Sequence, residues 1–228
     1  MEAMDNSDFL RPGTFIDSDA PPVVAFAREA ARGAANERDT GIRLYRAVRD
    51  GIVYDPYVDF ADPSFYKASS VLARGRTFCV GKAALLAAAA RASGIPGRIG
   101  FADVKNHLTS RRLYETMKTD TFLWHSYAEL YLDGQWVKAT PAFDLVLCEK
   151  VGLKPLEFDG RTDSLFHEFD RAGQRHMEYL RDRGPYPDVP FDTIIADFRA
   201  NYPHLFEPGA LCGGEFRSEA FAGDSRLA

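Results

Sequence analysis

Residues 76–100 read RTFCVGKAALLAAAARASGIPGRIG. From Ala83 to Ala90 every side chain is apolar, and a helix that is apolar on all sides has to be enclosed by other elements. Gly94 and Pro96 stop it, and Arg98–Asp103 follows as a predicted strand. Cys79 stands at the mouth of this buried helix. A thiol there meets unpaired backbone N–H groups and the positive end of the helix dipole, which favour the thiolate. The same N–H groups lie where an oxyanion would develop during attack on a carbonyl. Position alone fits equally well a small apolar residue filling a gap between helices.

The neighbours of this stretch alternate helix and strand. Upstream, Asp19 and Pro21-Pro22 open a helix ending near Gly33, and Arg38–Asp50 forms a second, with Ile42, Leu44, Tyr45 and Val48 on one stripe and Gly51 closing it. Ile52–Tyr54 reads as a short strand and Ser69–Ala73 as a single turn. Downstream, His125–Leu132 and Gln135–Thr140 are β-prone runs joined by Asp133-Gly134, a strong hairpin signal. Leu145–Asp163 is expected to be mainly loop. Helices are expected at Arg171–Arg183 and Phe191–Asn201, stopped by Gly184-Pro185 and Pro203. The expected organisation is a loose arm over 1–13, one domain over 14–208 with a helical extension from about 160, and a surface tail over 209–228.

The 228 residues are 46% hydrophobic and 27% charged, enough apolar material for a sizeable core, and the net charge is −5. That balance provides no electrostatic footprint for nucleic acid. The longest apolar run is far shorter than the roughly 20 residues that span a bilayer, and MEAMDNSDF lacks a basic-then-apolar leader. A soluble, cytoplasmic chain with no membrane partner is expected. Cys79, Cys148 and Cys212 are odd in number and form no C-x-x-C pair, which argues against both a disulfide framework and a thiolate zinc site.

A nucleophilic cysteine needs a base. His125 opens the first strand of the hairpin. With Asp133-Gly134 setting the register, Leu132 faces Gln135 and His125 falls opposite Ala142, between Thr140 and Asp144 on the same face. Asp144 alone of these supplies a carboxylate to hold the imidazole tautomer and stabilise imidazolium. The expected triad is Cys79, His125 and Asp144.

GRTFCVGKAALLAAAARASGIPGRIG followed by HSYAELYLDGQWVKATP resembles the transglutaminase-like superfamily of cysteine enzymes. The resemblance covers roughly Ile42 to Asp144: a cysteine at a helix start, a Gly-Ile-Pro-x-Arg exit, His-x-x-x-Glu and a hairpin tryptophan. Asp17–Tyr54 resembles the helical lead-in of bacterial members. It implies a papain-related α+β fold, with N-terminal helices and a nucleophile helix packed on an antiparallel sheet, in which Cys79 attacks and His125 is the base. The family's aspartate, four residues after the tryptophan, is replaced here by Thr140, whose hydroxyl carries no charge.

Other residues have simpler readings. Trp124 walls an acyl site in the resemblance and is ordinary packing otherwise; Glu129 pairs structurally with Arg98 or Lys138; His107 is a loop histidine. His167, Glu168, Asp170 and His176 cluster in sequence, but a nine-residue spacing does not stack two histidines on one helical face, so neither a metal nor another cofactor is expected. The expected function is thiol acyl transfer on a peptide or small amide, with water as acceptor. In a chain of this length neither the extra β domains of calcium-regulated transglutaminases nor a calcium loop is expected. The alternative is a noncatalytic module that keeps the fold and binds a peptide or protein.

Overall fold

The computed structural model describes residues 5–107, 109–166, 173, 176–207 and 216–219. Helices α1 (Pro21–Ala30) and α2 (Glu37–Gly51) lead into strand β1 (Val53–Tyr54). Pro21 and Pro22 occupy the first positions of α1 behind Ala20, which offers no side-chain cap, whereas the Asn36 side chain caps α2 by accepting from the Asp39 N–H. Helix α3 (Ala68–Arg74) ends at left-handed Gly75, and β2 (Arg76–Thr77) pairs in parallel with β1 immediately before helix α4 (Cys79–Ala92).

Strand β3 (Gly97–Asn106), helix α5 (Arg111–Met117), strands β4 (Thr121–Leu132) and β5 (Gln135–Ala139) and helix α6 (Leu145–Lys150) follow. Then come β6 (Met177–Tyr186), α7 (Phe191–Asn201) and α8 (Phe216–Glu219). The main sheet is antiparallel, in the order β5-β4-β3-β6. Helix α4 lies between this sheet and α1–α3, and its residues from Cys79 to Arg91 are all buried. Seven alanines and no β-branched residue beyond Val80 let neighbouring backbones come close. Gly81 shows how close: a Cβ there would stand 2.2 Å from the Phe65 carbonyl oxygen.

The hairpin has the expected register, from Leu132↔Gln135 to Ala128↔Ala139. Asp133 and Gly134 both have positive φ, 48° and 85°, as a two-residue turn matching strand twist requires. The ladder then ends. Thr140 donates its N–H to Ser164 instead of continuing toward β4, so the extrapolated pairing of His125 with Ala142 does not form.

Other expectations change: β4 begins at Thr121, so His125 does not open it, and Phe216 of α8, within the expected surface tail, is buried. Residues 177–183 are strand, not helix: Met177 to Tyr186 pair with β3 from Asn106 to Ile99. Exposed Arg181 and Asp182 suit an edge strand, where charge discourages further pairing. Leu145–Lys150 is helix, not loop, because the Asp144 side chain caps it. The arm before Gly13 is packed through Phe9, which is buried and meets Trp136 edge to face at 5.1 Å. Of the sequence readings above, His167, Glu168, Asp170 and Cys212 lie outside the described residues. No described helix is long and apolar enough to cross a membrane.

Candidate active site

Cys79 is the first residue of α4, entered through an extended Phe78 that supplies no side-chain cap. The first-turn N–H groups of α4 are therefore left for other acceptors. The N–H groups of Val80 and of Cys79 itself favour the thiolate, as do the N–H and hydroxyl of Ser126 on β4. The Ser126 hydroxyl is buried and has no hydrogen bond of ordinary geometry among the described residues. Burial acts against these donors and is the larger effect, so the thiol is pushed up from its usual value. The helix-end argument alone points the other way; enclosure of the whole first turn reverses it.

Ser126 escaped the sequence reading. It begins the fully buried alternating set Ser126, Ala128, Leu130 and Leu132 on the strand that packs against α4. That period-two pattern was the available signal.

His125 owes its place to an irregularity in the sheet. Strands β3 and β4 keep register from Gly97↔Leu130 to Ala102↔His125, then shift so that Val104 faces Phe122. Leu123 and Trp124 share the space opposite Asp103, and Trp124 takes φ 59°. A left-handed tryptophan costs on the order of 1–3 kcal/mol, so its surroundings must hold it. The Trp124 N–H donates to Asp103 Oδ1 at 3.1 Å, and its indole N–H to Asp197 Oδ2 at 2.8 Å. The Arg183 guanidinium lies over the Trp124 ring at 4.2 Å and donates to both carboxylates, at 2.6 and 2.9 Å. Trp124 is among the residues lining the pocket described next, and its indole N–H donates to Asp197.

Cys79 and His125 line one pocket together. The His125 ring leans on Phe166 at 5.1 Å. Burial, with a smaller contribution from repulsion by His176, pushes its imidazole down to about 4. Both groups of the pocket therefore rest neutral, as a thiol and a neutral imidazole. His125 Nε2 is buried and has no hydrogen-bond partner among the described residues, which leaves it able to take a proton.

Asp144 is not brought to His125. Its Oδ1 accepts from the Leu147 N–H at 3.0 Å, capping α6, and its Oδ2 pairs with Arg217 of α8 at 2.9 Å. It is absent from the lining of the pocket that Cys79 and His125 share. The buried Thr140 hydroxyl, at the position of the family aspartate, has no hydrogen-bond partner among the described residues. Glu129 accepts from Arg98 Nε at 2.6 Å, and His107 meets Glu178 at 3.1 Å, both structural pairings. Cys148 is buried in α6, away from this pocket's lining.

The family model described as the transglutaminase-like superfamily matches residues 24–141, more than half of the chain. Among solved structures, a candidate cysteine protease from Cytophaga hutchinsonii aligns with a TM-score of 0.50 and 17% identity, over 87% of this chain and 50% of its own. A candidate protease from Parabacteroides distasonis ATCC 8503 gives 0.41 and 15% identity, over 62% of this chain and 27% of its own. Red sea bream transglutaminase gives 0.42 and 15%, over 69% and 35%. The chain thus spans half or less of the length of each. A search of curated proteins returns no match.

Proposed function

Because the chain belongs to the transglutaminase-like superfamily, we propose that it is a cysteine-dependent acyl-transfer enzyme that hydrolyses an amide or peptide bond. Cys79 is the nucleophile and His125 the base. The observation that carries this reading is that the two side chains line one pocket at the start of α4, with backbone N–H groups near the sulfur.

Both groups rest neutral, so activation coincides with attack. As the sulfur bonds to the carbonyl carbon, its proton passes to His125, and the carbonyl oxygen becomes an oxyanion stabilised by first-turn N–H groups of α4. Collapse breaks the carbon–nitrogen bond, and the imidazolium returns the proton to the departing amine. Water, deprotonated by His125, then cleaves the thioester, releasing the acid and restoring the thiol. The Cytophaga hutchinsonii protein is itself described as a candidate cysteine protease, the same reaction class.

The proposal rests on a pair instead of a full triad, since the contacts of Asp144 are with Leu147 and Arg217. The raised thiol and the Thr140 replacement favour one other reading, a noncatalytic module that binds a peptide in the same fold. Trapping a Cys79 acyl-enzyme from a pool of peptides and amides, and weighing it by mass spectrometry, separates the two. We expect an adduct on Cys79. Cys79→Ala and His125→Ala should each abolish turnover with the fold intact, and Cys148→Ala should leave it near the parental rate. Turnover that survives in Cys79→Ala would assign the chemistry to another thiol.

A further inference from the structure

The pocket in front of Cys79 carries information about what enters it. Among the described residues, none of its lining side chains is Asp, Glu, Lys or Arg; apart from the catalytic pair, it is walled chiefly by phenylalanine, leucine and methionine. Phe60 sets the geometry of one wall, meeting Phe78 and Phe198 edge to face at 5.4 and 5.2 Å. Phe143 and Phe166 form another, 4.9 Å apart, and Phe216 of α8 closes over Tyr54 at 5.7 Å. The free space is about 70 Å³.

Apart from Tyr54 and the catalytic pair, the polar members of the described wall have interactions of their own. The Tyr202 hydroxyl donates to the Thr121 carbonyl at 2.9 Å and accepts from the Leu123 N–H at 3.0 Å. Asn106 has its own interaction, and the Trp124 indole N–H is held by Asp197. A charged side chain entering this space would lose its hydration with no counter-charge among the described lining residues. A carboxamide side chain would lose its hydrogen bonds to water, and the Tyr202 hydroxyl and Trp124 indole N–H, bonded elsewhere, offer no replacement. An alkyl or aryl group loses only unfavourable contact with water.

We infer that the acyl group presented to Cys79 is uncharged and apolar, an aliphatic or single-ring aryl chain seated against Phe60, Phe122, Phe143 and Phe166, and not an acidic, basic or glutamine-like side chain. This inference rests on the Cys79–His125 enzyme reading and names its substrate class. Pocket and nucleophile are continuous, and of the two groups on the carbonyl the acyl one stays bound to the sulfur as the thioester after the amine departs, so the pocket is assigned to it. It contributes binding by shedding apolar surface from water, and the reacting carbonyl sits at the polar end formed by Cys79 and His125.

The test uses the whole chain and four alkylating reagents: iodoacetamide, N-phenethyl iodoacetamide, the polar N-(2-carbamoylethyl) iodoacetamide and iodoacetate. In each case the sulfur–carbon bond forms as iodide leaves. Rates at Cys79 are read by peptide mass spectrometry and divided by rates with a free small thiol. We expect the phenethyl reagent to label at least tenfold faster than the carbamoylethyl one and to saturate with concentration, with iodoacetate slowest. Equal rates, or a faster carbamoylethyl reagent, overturn the apolar-acyl inference while leaving the enzyme reading intact. The His125→Ala variant tests that reading by itself: iodoacetamide labelling unchanged from the parent removes the enzyme and the substrate class with it. A Cys79 refractory to all four reagents at pH 9 also overturns both.

Discussion

At Cys79 two physical effects oppose each other. First-turn N–H groups stabilise the thiolate, burial destabilises it, and burial is the larger, so the free protein holds a protonated sulfur at neutral pH. The rate of iodoacetamide labelling at Cys79 is therefore expected to keep rising through pH 9, where an activated thiolate would have levelled off nearer neutrality. A plateau below pH 8 would show that the donors outweigh burial. Asp144 is held in a different environment, between the Leu147 N–H and Arg217. Asp144→Asn keeps a good cap and should leave turnover within about tenfold of the parent. Asp144→Ala loses the cap and should cost roughly 1 kcal/mol in urea unfolding. A fall of several orders of magnitude in Asp144→Asn would instead make it the group that orients His125. Thr140→Ala removes a single neutral hydroxyl and should also be mild.

Helix α4 sets the reacting sulfur by being packed too tightly to move. A Cβ at Gly81 would lie 2.2 Å from the Phe65 oxygen and 2.5 Å from Thr77 Oγ1, which itself donates to Phe65 O at 2.7 Å. Gly81→Ala must push the first turn of α4 away from this loop. The added side chain gains up to about 1 kcal/mol of helix propensity, while overpacking costs typically 1–3 kcal/mol, so net destabilisation and displacement of Cys79 are expected. Gly51, at the end of α2, has open space where its Cβ would go. Gly51→Ala should be neutral or slightly stabilising. Comparing the two variants by urea unfolding and by turnover separates helix propensity from packing, and equal effects would contradict the close approach at Gly81. The bulge at Trp124 works in a similar way, with Asp103, Arg183 and Asp197 holding a backbone turn that brings His125 to the helix.

Across the whole molecule, the same burial shapes the response to pH. Lys82, on the buried α4, donates from Nζ to the Arg49 and Ile52 carbonyl oxygens at 2.8 and 2.5 Å, closing the end of α2. Burial pulls its ammonium down to about 7, from 10.5 when exposed. His125 is pulled down to about 4, from 6.5. In both windows the unfolded chain binds more protons than the folded one, so stability rises with pH. The His125 contribution is complete above about 6.5 and lost as pH falls toward 4; the Lys82 contribution is complete above about 10.5 and lost as pH falls toward 7. Urea midpoints should therefore increase from pH 5 to pH 7 and again to pH 9. His125→Ala should flatten the acid limb and Lys82→Met the alkaline one. An acid limb that is the same in His125→Ala and the parent would show that this histidine is not buried as a neutral ring.

By itself the sequence determined the features that depend on near neighbours. The all-apolar run from Ala83 to Ala90 required an enclosed helix, and the Asp133-Gly134 turn set the register through Ala128↔Ala139. Cys79 stood at an element start, where residue type and position could be read together, whereas His125, read as opening its strand, lies inside β4, which begins at Thr121. Only the tertiary structure decided the rest, because the deciding contacts are distant in sequence. Strand β6, charged and rich in turn formers, is a strand through its pairing with β3, some eighty residues earlier. The ladder beyond Ala139 breaks because Thr140 turns to Ser164, which takes Asp144 to the start of α6 and away from the hairpin face it would otherwise share with His125. The charge state of Cys79 depends on how many layers cover the helix end, a property of the assembled core that no local spacing encodes.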